Sequence, residues 1–237
     1  MEKKKIKAIF FDLDGTLLPM DERFDYMYFD LLCKRLAPRG YEPEKLVKSV
    51  WVGTKAMMKN DGSKTNEEVF WDVFAEIYGD AARADEEHFR EFYEEDFDKI
   101  QSICGFDVKA KEVVSRLKAE GYKLVLATSP IFPRIATEKR IRWAGLKPED
   151  FEIVTTYENS NFCKSNPKYF LNICEKLNVS PEECLMVGND VADDMAAKEI
   201  GMQVFLVTDC LLNRENKDVS IYPQGNFEEL IKFIKNC

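Results

Sequence analysis

The chain has 237 residues, 45% of them hydrophobic, and a formal net charge of −9. That length allows one sizeable domain, or a domain carrying a smaller one, with ample apolar residues for a core and no disordered composition. The acidic balance argues against nucleic acid as a partner, and no apolar run approaches the roughly 18 residues needed to span a membrane.

In chain order, Met1-Glu2-Lys3-Lys4-Lys5 reads as a solvated lead-in rather than a secretory leader, because only the short run Ile6 to Phe11 precedes Asp12. That run is predicted to be a buried strand. It empties into Asp12-Leu13-Asp14-Gly15-Thr16. Extended residues i and i+2 share a face, so the two carboxylates could act on one substrate. Gly15 permits a turn that a side chain would hinder, and Thr16 adds a hydroxyl. Asp-Gly after an apolar strand is also a hairpin signal. However, Leu17-Leu18-Pro19-Met20 shows no alternation for a returning strand, and proline is a poor strand residue.

From about Asp21 to Ile103 every segment with a clear period is helical. Phe24, Met27, Tyr28, Leu31, Leu32 and Leu36 form one stripe. Val69, Phe70, Val73, Phe74 and Ile77 form another, opened by the capping box Thr65-x-x-Glu68 and closed by Gly79. About four helices and no strand are expected there.

The remainder alternates. A helix through Ala110, Val113, Val114 and Leu117 ends at Gly121 and leads to a strand over 123–127. Then come a helix over 134–144, a strand over 151–155, a helix over 167–177 and a strand over 184–187. A helix over 191–200, a strand over 202–207 and a helix over 227–235 complete the pattern. This predicts an α/β fold: a Rossmann-like parallel sheet with helices on both faces, carrying an inserted all-helical domain. The core is expected at residues 1–17 and 105–237 and the insertion at 18–104, with Pro19 and Gly105 near the crossings.

The seven cysteines, at 33, 104, 163, 174, 184, 210 and 237, include no Cys-x-x-Cys pair. An odd, dispersed set reads as reduced thiols of a cytoplasmic protein, where the sequon Asn178-Val179-Ser180 carries no meaning. The only histidine, His88, sits among Glu86, Glu87 and Arg90 as an exposed helical residue, so a histidine triad or zinc site is not expected.

Ligands of open parallel sheets bind beyond the carboxyl ends of the strands. Those ends should deliver Asp12 and Asp14, then Thr128 and Ser129, then Gly188, Asn189 and Asp190, with Asp193 and Asp194 just beyond. Lys164 and Lys168 flank the helix beginning near Pro167. Singly, Thr128 could be a turn or cap residue, Lys164 a surface charge and Asp190 or Asp193 a cap. Together they are the groups that hold a divalent cation and a phosphoryl group.

These stretches resemble the four motifs of the haloacid dehalogenase superfamily: Asp12-x-Asp14-Gly15-Thr16, Leu126-Ala127-Thr128-Ser129, Lys164-Ser165-Asn166-Pro167, and Val187-Gly188-Asn189-Asp190-x-x-x-Asp194. The helical insertion is similar to the cap of the family's first class. The resemblance implies an Mg²⁺-dependent phosphatase of a small phosphorylated metabolite. Asp12 would be the nucleophile and Asp14 the acid and base. Thr128, Ser129 and Lys164 would hold phosphoryl oxygens. Mg²⁺ would sit on Asp12, the Asp14 carbonyl and Asp190, supported by Asn189 and Asp194. Two departures stand out: Asn189 replaces the Asp that many relatives carry after the glycine, and Ser165 replaces the Pro that often follows the lysine, leaving Lys168 as a rival. Lys164 is preferred because Pro167 suits a first helical turn and leaves Lys164 in the loop. A phosphomutase, a dehalogenase and a non-catalytic binding module are the alternatives. Asp14 argues against the dehalogenase, which needs no general acid there.

Overall fold

The computed structural model describes residues 5–236. The run after the lysines forms β1 (Ala8–Phe11), buried along its whole length. It pairs in parallel with β2 (Lys123–Leu126) on one side and β4 (Cys184–Gly188) on the other. Beyond them lie β3 (Ile153–Val154), β5 (Gln203–Val207) and β6 (Gln224–Gly225), giving a parallel sheet ordered β3-β2-β1-β4-β5-β6. The chain thus builds outward from β1 in one direction, returns, and builds outward in the other. The reversal falls between β1 and β4, where such sheets bind ligands.

Side-chain alternation explains why both faces are covered. Ile9, Phe11, Leu124, Leu126, Leu185, Val187, Phe205 and Val207 belong to one apolar cluster. Ala8, Phe10, Val125, Cys184, Met186, Val204 and Leu206 belong to the other. The first packs with α5 (Val108–Ala119), α6 (Arg134–Trp143) and α8 (Phe227–Lys235); the second packs with α7 (Lys168–Leu177).

The helical insertion comprises α1 (Phe24–Leu36), α2 (Pro43–Met58), α3 (Asn66–Tyr78) and α4 (Glu86–Glu95), with 3₁₀ turns between α1 and α2 and between α3 and α4 and an irregular loop between α2 and α3. Thr65 and Glu68 form the expected reciprocal cap on α3. The two ends of the insertion touch: the Gly105 amide donates to the Pro19 carbonyl at 2.9 Å. A Cβ on Gly105 would lie only 2.7 Å from the Pro19 ring. The aromatic interior of the insertion is continuous with one sheet face rather than separate from it. Phe24 and Tyr28 meet Phe132 edge-on, and Phe97 stacks on Trp143.

Two expected elements require correction, and one strand was not expected. Residues 191–200 are not one α-helix: turns run to Asp194, followed by a 3₁₀ helix over Met195–Ile200. The carboxylates of Asp190 and Asp194 capture main-chain amides there, and such side-chain bonds compete with helical ones. The strand expected over 151–155 shortens to Ile153–Val154, because Thr155 and Asn159 tie the following chain into a loop. The two-residue β6 has too few positions to show a period. His88 is half-buried on α4 and meets Arg39. All six described cysteines are free; Cys237 and the start of the lysine run lie outside the described residues. Among the described residues no helix is long and apolar enough to cross a membrane.

Candidate active site

Parallel register brings the functional loops to one edge. Phe11 pairs with Leu126 and Val187, so the residues following all three strands emerge side by side. The Asp12 amide continues the ladder by donating to the Val187 carbonyl at 2.9 Å. The sequence then turns: Gly15 adopts φ +82° and its amide donates to Leu18. This glycine has two reasons to be one, its left-handed backbone and the Asn189 amide, 2.3 Å from where a Cβ would sit. No hairpin forms.

Lys164 is the hub of the charges. Its ammonium donates to Asp12 Oδ1 at 2.6 Å and to Asp194 Oδ1 at 2.7 Å, with all three side chains nearly excluded from solvent. Burial disfavours the ammonium, but Asp12 and Asp194 outweigh it and raise its pKa, so it stays charged. Burial pushes Asp194 up to about 7, against the pull of Lys164. Asp194 Oδ2 also accepts from the Asp190 amide at 2.9 Å. Gly188 leaves room for this carboxylate, since a Cβ there would fall 2.0 Å from it. Lys168, by contrast, is exposed at the start of α7 and lies over the Phe162 ring.

Thr128 follows β2 and is buried. Its carbonyl is gripped by the hydroxyls of Thr155, at 2.7 Å, and Tyr169, at 3.0 Å. Ser129 follows it, half-buried. Asn189 links two loops: its Oδ1 accepts from Thr16 at 3.0 Å and its Nδ2 donates to the Cys210 carbonyl at 2.7 Å. Asp190 Oδ1 accepts amides of Ala192 and Asp193, and its Oδ2 faces Arg214 at 3.3 Å. Burial and the neighbouring Asp190 push the Asp193 carboxyl up.

Asp14 has a partner that the motifs do not supply. Its Oδ2 is bound by Arg140 of α6, a guanidinium with no exposed surface. Its Oδ1 is buried without a hydrogen-bond partner among the described residues. Burial pushes the Asp14 carboxyl up, with Arg140 pulling against it and Asp12 adding to it. A signal for Arg140 existed in the sequence: Ala136, Arg140 and Ala144 share one helix face, so a charge stood on the inward side. Thr155 and Tyr169 carried no such signal.

The donor set can be weighed for a divalent cation. Among the described residues no three His, Cys, Asp or Glu side chains converge as a cage. The oxygens the strand ends offer are the Asp12 and Asp190 carboxylates and the Asp14 main chain, of which Asp190 Oδ1 already accepts two amides and its Oδ2 faces Arg214. An oxygen-only set of one or two carboxylates suits Mg²⁺, which keeps several waters and takes substrate phosphate oxygens. It does not suit zinc.

A cavity of about 90 Å³ lies where the insertion meets the sheet domain. Tyr28, Trp71 and Tyr93 line it from the helices, and Phe132 and Tyr157 from the loops.

The sequence profile of the haloacid dehalogenase-like hydrolase family matches residues 6–201. The chain belongs to that family. It is 26% identical over 211 residues to the pyrophosphatase PpaX of Bacillus cereus (strain G9842), covering 89% of this chain and 87% of that protein. A predicted phosphoglycolate phosphatase from Haemophilus somnus superposes with a TM-score of 0.60 at 20% identity, covering 98% of this chain and 99% of that one. A 2-haloacid dehalogenase from Pseudomonas syringae superposes with a TM-score of 0.63 at 19% identity, covering 98% and 99%. The chain is therefore similar in fold to both phosphatases and dehalogenases, and its own side chains must separate the two chemistries.

Proposed function

We propose that the protein is a cytoplasmic, Mg²⁺-dependent phosphatase of a small phosphorylated metabolite, working through an aspartyl-phosphate on Asp12. The observation that carries this reading is the pairing of Asp12 with buried Lys164 while a second carboxylate, Asp14, stands two residues on. A carboxylate attacking a dianionic ester meets strong repulsion, and phosphate-monoester hydrolysis is so slow in water that accelerations approach ~10²¹. Cationic groups fixed at the phosphoryl oxygens address that barrier directly. The similarity to pyrophosphatase PpaX supports phosphoryl transfer to water as the reaction type.

In this reading Lys164, Thr128 and Ser129 bind the phosphoryl oxygens, and Asp12 attacks phosphorus as the ester P–O bond breaks. The leaving oxygen takes its proton from Asp14. Asp14 then removes a proton from water, the water oxygen attacks phosphorus, and the P–O bond to Asp12 breaks to release phosphate. Asp12, Asp190 and the Asp14 carbonyl would hold Mg²⁺, which supplies charge neutralisation at the phosphoryl group. Asn189 and Asp194 brace these groups through Thr16 and Lys164. Residues 18–104 form a cap that selects the leaving group, with residues 1–17 and 105–237 as the catalytic core. The dehalogenase reading loses to Asp14, for which displacement at carbon has no use.

Screening the protein with Mg²⁺ over a panel of phosphorylated metabolites and p-nitrophenyl phosphate tests the proposal. Free phosphate should appear, and Asp12→Asn should lower its rate by at least ~10⁴-fold while the protein stays folded. An isomerised sugar phosphate in place of free phosphate would mark a mutase. Substantial turnover by pure Asp12→Asn would overturn the nucleophile assignment.

A further inference from the structure

Arg140 is outside the four motifs, yet it is the largest side chain with no solvent exposure. A guanidinium cannot shed its charge on burial, so its place must be compensated by specific partners. Its own helix supplies weak ones, the Ala136 carbonyl and the Thr137 hydroxyl, each at 3.4 Å. The Phe132 ring covers one face, with its centroid 4.4 Å from the guanidinium carbon. The one carboxylate it binds among the described residues is Asp14, through Oδ2. The guanidinium is thus braced along α6, roofed by an aromatic ring and aimed at one oxygen of one residue.

The consequence concerns which atom of Asp14 can do chemistry. A carboxyl group free to rotate presents two equivalent oxygens and many orientations to a leaving group. With Oδ2 taken by Arg140, only Oδ1 is left, and it is buried without a partner. Buried polar atoms are normally satisfied, so an orphan at this place points to a partner that arrives with substrate. We propose that Arg140 is a positioning residue: by holding Asp14 Oδ2 it fixes the carboxyl so that Oδ1 alone exchanges the proton with the leaving oxygen and then with water. The proposal rests on the phosphatase reading. It assigns Arg140 no contact with the substrate itself. Phe132, which also lines the cavity beneath the helices, extends the same brace toward the cap.

The test compares wild type, Arg140→Lys, Arg140→Met, Asp14→Asn and the Arg140→Met/Asp14→Asn double variant on two substrates, p-nitrophenyl phosphate and an alkyl phosphate from the metabolite panel. A nitrophenolate leaves without protonation, whereas an alkoxide does not. Loss of the brace should therefore lower kcat on the alkyl ester by about tenfold or more beyond its effect on the aryl ester. KM and the Mg²⁺ requirement should hold. In the Asp14→Asn background Arg140→Met should change kcat by less than about twofold, because the two residues act as one unit. Arg140→Lys, which keeps the charge, should recover part of the alkyl activity; it also keeps the question answerable if Arg140→Met does not fold. Equal losses on both esters, a raised KM, or full additivity with Asp14→Asn would overturn the assignment. Wild type inactive on every phosphate ester would instead sink the phosphatase reading.

Discussion

The sheet edge and the helical insertion bury different things. At the edge, buried polar groups are held by specific partners: Lys164 by Asp12 and Asp194, Thr128 by Thr155 and Tyr169, Asn189 by Thr16 and Cys210. In the insertion just over half of the buried apolar residues are aromatic, with Phe70, Trp71, Phe74 and Phe89 packed together. Its charges lie outward in pairs such as Arg39–Glu91 and Lys64–Asp72. A fixed polar network preorganises charge for one kind of reaction. An aromatic shell defines a shape and can be re-cut without touching that network. In the proposed reading, the edge supplies the common chemistry and the insertion selects the leaving group.

The two regions are also tied. The turn between α2 and α3 docks on the loops that carry Thr128 and Lys164. Asn66, fully buried, accepts from Asn60 and donates to the Pro130 carbonyl at 3.0 Å. The Asn66 amide donates to Ser160 at 2.8 Å, and Asn161 reaches the Gly62 carbonyl at 3.1 Å. The insertion therefore touches the sheet domain's loops at a second point besides the Pro19–Gly105 junction.

The sharpest way to break the comparison is at its polar hub. Lys164→Met should lower kcat by about 10²–10³-fold, the usual cost of removing a fixed charge-stabilising donor. It should also destabilise the metal-free protein in urea unfolding by about 3–5 kcal/mol, because two carboxylates lose their buried partner. Retained stability would mean that Asp12 and Asp194 do not depend on Lys164. A smaller effect is expected from the metal side. Asp190→Ala should raise the Mg²⁺ concentration for half-maximal activity by about tenfold or more, whereas Asp193→Ala should move it little. The reverse ranking would misplace the metal donors. Smallest in turnover, but decisive for the division of labour, is Asn66→Ala. Loss of its buried bonds should cost about 1–3 kcal/mol of stability and blunt preference among metabolites, while p-nitrophenyl phosphate turnover persists. Unchanged substrate ranking would remove the insertion from selectivity.

How much of this was legible depends on whether a residue acts through local pattern or distant partners. β1, β2, β4 and β5 showed as apolar runs because both sheet faces are covered, and Thr65 and Glu68 announced α3 through their spacing. The meeting of Asp12 with Lys164 was readable because the loops after the strands converge at one edge of a parallel sheet. Arg140 was missed because it looked like one more cation on an arginine- and lysine-rich helix; only its place between Ala136 and Ala144 betrayed an inward face. Asn66 was hidden as an ordinary residue after a cap, since its partners, Asn60 apart, lie 64 or more positions away. The apolar interior of the insertion is continuous with one sheet face, which its own helical periods could not show, because Phe132 and Trp143 belong to the α/β part yet pack on its helices.

The central claim is that Asp12 carries the phosphoryl group during turnover. Quenching the protein with borohydride during turnover of its best phosphate ester reduces an acyl phosphate to the alcohol, which mass spectrometry of the peptides locates. The account expects homoserine at position 12, dependent on substrate and absent from Asp12→Asn. Steady turnover with no reduction at that position, or reduction at another carboxylate, would contradict it.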